Sequence, residues 1–479
     1  MTNLNLAVVQ PPQTSAIIDS LRNQAATILA SALGSQPLVN FESGGLGNFP
    51  YYYLDPATLN FNKLTYDWIN TPLLGGNPPI QQSTGALFTN SFISVLSKVV
   101  YQLSRADTAT LNNAYANATN QQMALLNAWK STYGTLPTPS QGQMPIDAIM
   151  SIICTKWADP PTTVNAIQNS INLQNLLNNA PPSGQAMMPV IANYVNALGS
   201  SVTLANAQTM NNAYVNAALR ALQTPSAANG GMLLNSSSTT YYPSYTFGTD
   251  LSAIINGLQS SNTVEITMDV SIASATEYSV SIRGGTSFTI PFLEFFSLGV
   301  GANASYFHDE IVKSANSVSV KMTFTGVTLV NYRPSAFNES VLQNWCFMQP
   351  ILDAIKNQGQ DVSGYHFSPS PGVDFSLNGQ FGILQGVAIS NYPSAEITVT
   401  SSNYQSIQTT FQQSVSTSIS FLGIPLGGGS ESTYSNSASS SSSTSTVTIK
   451  LTPPPNMVAG SNTSSVGWVL GVQTNYPAT

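Results

Sequence analysis

The chain has 479 residues, of which only 7% are charged, whereas soluble domains average about 25% charged residues. Its 13 basic and 20 acidic residues give a net charge of -7 without a basic stripe, which argues against a nucleic-acid partner. No window of about 18 apolar residues occurs, so the sequence predicts no membrane-spanning helix.

The amino-terminal half has helical periodicity, which predicts an α-helical domain over residues 1–235. We expect one amphipathic helix at residues 17–33 and another whose apolar face runs through residues 92–103. A third begins at Asp107 as its N-cap and ends at Gly134.

Two segments of the helical half are nearly identical: "LNNAYANA" at residues 111–118 and "MNNAYVNA" at residues 210–217. Each is followed by a Thr-Pro-Ser exit, at residues 138–140 and 224–226. The match predicts a duplicated helical hairpin. The alternative is chance, because Asn and Ala are abundant in this chain.

An aromatic, turn-rich stretch at residues 48–68 precedes the first long helices. Its plainer interpretation is an irregular cap packed on the helices. The alternative is a ligand surface, since Tyr and Trp suit contacts with sugars or lipid headgroups.

Near residue 240 the apolar period changes from 3.6 to 2, which predicts half-exposed β-strands. Apolar residues alternate with polar ones from Val264 to Ile272 and again from Val318 to Phe324. The scheme then repeats about 130 residues later: "VEIT" at 264–267 answers "AEIT" at 395–398, and "VSVKM" at 318–322 answers "VTIKL" at 447–451.

These patterns predict an α+β fold, with a helical amino-terminal half followed by a duplicated, mainly antiparallel β half. The expected divisions are the helical domain at 1–235, a first β unit at 236–335, a connecting helix at 336–360 and a second β unit at 361–479. Pro350 is expected to break or kink that helix.

The sequence offers little for catalysis. Its two histidines, His308 and His366, are far apart, and no HExxH, GxSxG, CxxC or phosphate-binding glycine loop occurs. Residues 308–310, "HDE", and the pair Glu265 and Asp269 are the candidate ionic clusters, each better explained as a solvated surface. We therefore predict no enzyme activity, no catalytic residue, no cofactor and no metal, and we favour two free thiols over a disulfide.

Each β unit carries an apolar stretch between Ser/Thr-rich arms, at residues 290–302 and 421–429. Arms with one apolar and one hydroxyl face suit transmembrane β-hairpins. One arm is predicted at residues 404–421, whereas the serine run 439–443 would be mobile or outside the bilayer. The predicted membrane-contacting residues are Phe292, Leu293, Phe295, Phe296, Leu298, Phe421, Leu422, Ile424 and Leu426.

The hairpin followed by "STSTVTIKLTPPPNM", over residues 404–457, resembles the insertion region of aerolysin-type β-pore-forming toxins. The resemblance implies a protein that binds a lipid membrane or cell-surface receptor, forms a homo-oligomer and opens a transmembrane barrel. Two alternatives stay open: a self-assembling structural or surface protein, and a carbohydrate- or surface-binding module.

The amino terminus, "MTNLNLAVVQPPQTS", lacks the basic and apolar regions of a classical signal peptide. If the protein acts outside its cell, we expect release by a leaderless route or by lysis, unless a leader has been removed. Before it binds a membrane, the chain is expected to be soluble.

Overall fold

The computed structural model describes most of the chain, namely residues 12–34, 38, 41–42, 48–49, 63–71, 73–74, 80–82, 87–153, 178, 182–234, 238–274, 277–283, 287–291, 296–297, 309–377, 379–414, 419–421, 424–427, 435–453 and 467–477. The α-helices in these residues are α1 (Pro12–Ile28), α2 (Ala30–Leu33), α3 (Lys63–Ile69), α4 (Phe88–Leu96), α5 (Arg105–Tyr133), α6 (Pro145–Ile153), α7 (Met188–Gln223), α8 (Leu251–Leu258), α9 (309–314), α10 (Met348–Lys356) and α11 (Tyr404–Ser414).

The strands are β1 (Phe41–Glu42), β2 (Asn48–Phe49), β3 (Leu73–Leu74), β4 (Ile80–Gln82), β5 (Val99–Gln102), β6 (Met232–Leu233), β7 (Tyr241–Tyr242), β8 (Tyr245–Phe247), β9 (Thr263–Ile272), β10 (Glu277–Ile282), β11 (Ser287–Pro291), β12 (Phe296–Ser297), β13 (Ala315–Thr325), β14 (Thr328–Pro334), β15 (Gly364–Phe367), β16 (Ile383–Ser390), β17 (Ser394–Ser401), β18 (Ile419–Phe421), β19 (Ile424–Gly427), β20 (Ser435–Ser441), β21 (Thr446–Thr452) and β22 (Gly467–Asn475). The longest helices precede residue 235 and the longest strands follow it, which confirms the predicted α+β class and its order.

The two similar segments at 111–118 and 210–217 lie in α5 and α7, the two longest helices. Leu125, near the end of α5, shares a buried cluster with Ile191, near the start of α7. At the opposite end, Asn212 of α7 accepts a hydrogen bond from the Tyr101 amide, just before α5, at 2.9 Å. The helices are therefore antiparallel, and each similar segment occupies one arm of a single pair.

Two predicted helix boundaries were wrong. The helix predicted through residue 103 ends at Leu96, and Val99–Gln102 instead forms β5, which pairs with β15. The N-cap of α5 is Ser104, whose Oγ accepts from the Asp107 amide at 3.0 Å, while Gly134 ends the helix as predicted. Apolar spacing alone does not register the turn at residues 97–98 that separates the helix from the strand.

A seven-stranded antiparallel sheet has the order β11-β10-β9-β13-β17-β21-β20. One face is apolar and buried, as the alternation predicted, and includes Ile266, Val320, Ile397 and Ile449. Helices α1 and α11 lie against this apolar face. Helix α1 contacts β9 and β11 near one edge of the sheet, and α11 contacts β20 and β21 at the other edge. The other face carries hydroxyl and charged side chains that are half-buried or exposed.

A second, five-stranded sheet has the order β2-β22-β16-β14-β8 and is covered on both sides. Leu329 and Ala388 point into the core of the seven-stranded sheet, whereas Val330 and Val387 point into a core shared with the helices. Burial on both faces explains why β16 is a nearly continuous apolar run. The described residues therefore form three layers: the seven-stranded sheet with its polar face outward, the five-stranded sheet buried in the middle, and the helices on the far side.

The predicted segmentation differs from this architecture in two places. Strands from residues 236–335 and from residues 361–479 share both large sheets, so neither β unit has a sheet of its own. The predicted connecting helix at 336–360 is helical only at Met348–Lys356, with Pro350 inside its first turn, where proline is tolerated. Before it, Leu342 and Asn344 have positive φ angles of 55° and 66°, which an α-helix cannot accommodate.

The described part of the aromatic stretch at 48–68 belongs to the core. Tyr66 is 2% exposed and donates its hydroxyl hydrogen to the Pro243 carbonyl at 3.0 Å. Trp68 is also buried and meets Phe49 edge-on at 5.0 Å between ring centroids. These rings act in packing, as the plainer interpretation predicted.

Cys346 is a free thiol, partly buried beside this core, and Cys154 lies outside the described residues. Burial raises the pKa of Cys346 from 9.0 to about 12, so roughly a thousandfold less thiolate forms at pH 8. In a Cys154→Ser variant we expect the folded protein to resist thiol-specific disulfide reagents at pH 8 and to react fully in denaturant. Reaction of the folded protein at the rate of free cysteine would contradict this.

Candidate functional site

Four strands at the centre of the seven-stranded sheet lie side by side in the same order as they occur along the chain, with other elements between them in sequence: β9, β13, β17 and β21. We call them the central run. Three long connections interrupt it. The first inserted segment, residues 273–314, joins β9 to β13, and the second inserted segment, residues 402–445, joins β17 to β21. Residues 326–393, which contain β14, β15 and β16, join β13 to β17. Each inserted segment therefore links two neighbouring antiparallel strands.

Both inserted segments leave the central run from the same end of the sheet. Ser401, the last residue of β17, lies opposite Ala315, the first residue of β13. The Ser401 hydroxyl donates to the Ser314 carbonyl at 2.7 Å, and its amide donates to the Ser445 carbonyl at 2.8 Å. These hydrogen bonds hold the bases of the two segments together.

The apolar stretches of the two inserted segments also meet. A small antiparallel sheet has the order β12-β18-β19, in which Phe296 lies opposite Phe421 and Phe421 lies opposite Ile424. Leu426 follows in β19. The structure thus brings together predicted membrane-contacting residues that are about 125 positions apart, a pairing that no local sequence pattern indicates. The other predicted contact residues, Phe292, Leu293, Phe295, Leu298 and Leu422, lie outside the described residues.

One predicted inserted arm has a different conformation. Residues 404–421 were expected to form a strand, but Tyr404–Ser414 is the helix α11. Ile407 and Phe411 are four residues apart, share one helical face and are fully buried against the apolar side of the sheet. This packing stabilises the helix, because both apolar side chains of its buried face cover the core of the sheet.

The serine run of the second inserted segment is also ordered, which contradicts the first of its two predicted alternatives, a mobile segment, and leaves the second, a place outside the bilayer, as a prediction. Ser435–Ser441 forms β20, which pairs with β21 along its whole length. The Gln408 side chain of α11 donates to the Ala438 carbonyl of β20 at 2.9 Å. Helix and strand of this segment are therefore tied to each other as well as to the sheet.

The edges of the central run are covered by the inserted segments themselves. Strand β10, from the first segment, pairs with β9, and strand β20, from the second, pairs with β21. An uncovered edge would present a row of unpaired amide and carbonyl groups. In this conformation both edges of the central run are closed.

The polar face of the central run carries a row of alternating charges. Lys321 lies directly opposite Glu396, which lies directly opposite Lys450. The Lys450 Nζ and a Glu396 carboxylate oxygen are 3.1 Å apart, and Lys321 forms a 2.6 Å ion pair with Glu265. All four side chains are about half exposed, so each pair is worth about 0.2–1 kcal/mol. Glu265 already has a cation partner, which weakens the idea of a metal at Glu265 and Asp269.

The candidate cluster at residues 308–310 is only partly described. Asp309 and Glu310 lie in α9, and His308 lies outside the described residues. Within the part of the chain that the structure describes, no group of three potential ligands could hold a metal ion. None of the helices in the described ranges combines the length and apolar composition that a membrane crossing requires.

A separate groove of about 330 Å³ lies in the helical half, between the end of α5 and the end of α6. Its described lining includes Trp129, Tyr133, Pro137 and Ile152, and among these described residues the tyrosine phenol is the one ionisable group. These residues offer apolar and aromatic contact to whatever occupies the groove.

Comparison of the chain with protein-family models, with curated proteins and with solved structures found no match in any of the three.

Proposed function

We propose that this protein forms pores: copies assemble on a target membrane, and each inserts two β-hairpins made from the two inserted segments. The observation that carries the proposal is their placement. Each joins neighbouring antiparallel strands of the central run, and both start from the same end of the sheet. Straightening either segment would simply lengthen two strands that are already paired.

The inserted segments are long enough for this role. Each has about 40 residues, so a hairpin arm of about 20 residues could extend about 65 Å at 3.3 Å per residue. A bilayer core of about 30 Å needs only about 9–11 tilted residues per strand. The serines nearest β21 would then lie outside the bilayer, where a strand with two polar faces is stable.

The sequence around α11 is compatible with both helix and strand. Apolar residues recur every four positions at Ile407, Phe411, Val415 and Ile419. A spacing of four keeps them near one face of a helix and also on one face of a strand, where the period is two. Every even position from residue 406 to residue 420 is Ser, Thr or Gln, which would supply the water-lining face.

The free energy needed to detach α11 from the sheet is small enough for insertion into a membrane to offset it. Exposing Ile407 and Phe411 to water costs about 1.5–3 kcal/mol each, and entry of the same side chains into hydrocarbon recovers a similar amount. Backbone groups of the inserted strands need partners in lipid, which neighbouring copies would provide by closing a ring. Pore formation by this route therefore requires a homo-oligomer.

The direct test is release of a dye from liposomes, followed by electrophoresis in SDS. Pore formation predicts leakage together with SDS-resistant oligomers. Regular sheets or filaments without leakage would instead support the structural alternative. Retention on a glycan column with neither leakage nor oligomers would support a carbohydrate-binding module.

A matched pair of variants tests which face of the apolar stretch enters lipid. We expect Phe421→Asp to reduce leakage about tenfold, because a charge on the lipid-facing side of a transmembrane strand is strongly unfavourable. Ser420→Asp, the adjacent position on the opposite face, should leak at nearly the wild-type rate. Equal leakage from the two variants, at matched thermal stability, would show that this strand does not face lipid.

A further inference from the structure

The central run is built from two similar halves, and the junction between them is visible in the sheet. The first half is β9 with β13, and the second is β17 with β21, as the matches of residues 264–267 to 395–398 and of residues 318–322 to 447–451 indicate. The two halves meet where β13 pairs with β17.

At this junction the register is fully defined. Lys321 lies opposite Glu396, and Val320 lies opposite Ile397 on the other face. In the match of residues 318–322 to 447–451, Lys321 corresponds to Lys450. In the match of residues 264–267 to 395–398, Glu396 corresponds to Glu265. The outer sides of β21 and β9, which pair with β20 and β10 in this conformation, thus carry the same complementary residues as the internal junction.

We propose that a second copy of this chain joins the central run at β21 through its β9, in the register of the internal junction. Lys450 of one copy then lies opposite Glu265 of the next, Thr448 opposite Thr267, and Ile449 opposite Ile266. The inference rests on the proposed function, since it specifies how the homo-oligomer is assembled.

Strand direction and face both agree with this arrangement. A strand added at β21 must run antiparallel to it, which is the direction of β9, because the central run has four alternating strands. Ile449 and Ile266 both lie on the apolar face, so a one-residue slip, which would place them on opposite faces, is excluded. Strand β20 now occupies the place of the neighbour's β9, and β10 that of the neighbour's β21.

Charge selects the partner edge. The row across the central run ends with Glu265 on β9 and Lys450 on β21, so joining unlike edges continues the alternation. Joining two β21 edges would place lysine against lysine, and joining two β9 edges would place glutamate against glutamate. The contact is therefore heterologous, which produces a ring when the rotation closes.

Mixing charge-reversed copies tests the proposal. Lys450→Glu alone and Glu265→Lys alone should each lower the yield of SDS-resistant oligomers and the leakage rate about tenfold. A mixture of equal parts should recover most of both, because every interface then pairs unlike charges. Glu396→Gln breaks the same ion pair with Lys450 inside one copy but is not at the interface, so this control should assemble like the wild type.

A cross-link provides a second readout that does not depend on charge. In the variant Thr448→Cys/Thr267→Cys the two cysteines are three strand spacings apart within one copy, about 14 Å, too far for a disulfide. Between neighbours they lie directly opposite, so oxidation on liposomes should give a reducible ladder of oligomers. Thr448→Cys/Ser271→Cys, displaced by four residues, should give none.

The outcomes separate the two levels of the proposal. If the wild type leaks and oligomerises but the mixture is no better than the single variants, or if the displaced cysteine pair cross-links equally well, the proposed register is wrong. If the single variants assemble like the wild type, the charge selection is wrong. If the wild type neither leaks nor oligomerises, the proposed function itself fails.

Discussion

Disulfides that fix the inserted segments to the sheet are expected to abolish leakage until they are reduced. Ser439 of β20 lies opposite Thr448 of β21, and Ser279 of β10 lies opposite Ser271 of β9. Cα atoms of directly opposed antiparallel residues are about 4.5–5.5 Å apart, within the range a disulfide spans. Ser439→Cys/Thr448→Cys should therefore hold the second segment, and Ser271→Cys/Ser279→Cys the first.

The expected result is at least a tenfold loss of dye release for each oxidised variant and recovery after addition of a reductant. The matched control is Ser319→Cys/Thr398→Cys, which joins β13 to β17 on the same polar face. Those strands remain paired in the proposed pore, so that disulfide should not change leakage. Wild-type leakage from either oxidised segment variant would mean that the segment stays in place.

Replacement of Trp345 is expected to cause the largest loss of stability. Its side chain is fully buried, meets Phe92 edge-on at 5.1 Å between ring centroids and packs against Tyr245 at 5.6 Å. Its Nε1 donates to the Ser244 carbonyl at 2.6 Å. Trp345→Ala would leave a cavity and would remove one of the two hydrogen bonds that the Ser244 carbonyl accepts, the other coming from the Ser335 amide, at a cost of about 4 kcal/mol.

Urea unfolding followed by circular dichroism measures this effect. A loss of about 4 kcal/mol is a large part of the 5–15 kcal/mol that stabilises a typical domain, so the variant should unfold at much lower urea. Trp345→Phe keeps part of the packing and should cost less. Val341→Ala, at a residue that is 56% exposed, serves as the control and should change stability by less than about 0.5 kcal/mol. A loss below 1 kcal/mol for Trp345→Ala would mean that this cluster is not central to the fold.

Patterns with a single local cause were predicted correctly. Alternation from Val264 to Val270 placed those side chains on the buried face, because in a strand the period of two leaves no other choice. Gly134 was recognised as the end of α5 because a φ of 86° there favours glycine. The α+β class follows from two such patterns in succession.

Sequence patterns with two possible structural causes were not predicted correctly. The spacing of Ile407 and Phe411 satisfies both a helix and a strand, and only the apolar sheet beneath them selects the helix. Val341 and Leu342 fit a helical stripe by count, yet both are exposed, because positive φ angles at Leu342 and Asn344 turn the chain. Local sequence contains no information about which distant surface a segment will meet.

The pairing of segments that are far apart in the chain was also not predicted from the sequence. Opposition of Phe296 with Phe421 depends on topology across more than a hundred residues, whereas β10 and β20 close the sheet edges by pairing with the strand next to them in the chain. Many strand partners are compatible with the same Ser/Thr alternation. The candidate residues could therefore be named from sequence, whereas their association could not.

The departure of both inserted segments from one end of the sheet has a numerical consequence for any closed assembly. Every subunit would contribute two hairpins pointing the same way, so the wall would grow in steps of four strands. The number of strands in the wall would then be four times the number of subunits, and therefore always a multiple of four. Electron microscopy that counts both subunits and wall strands in one particle would read this ratio directly.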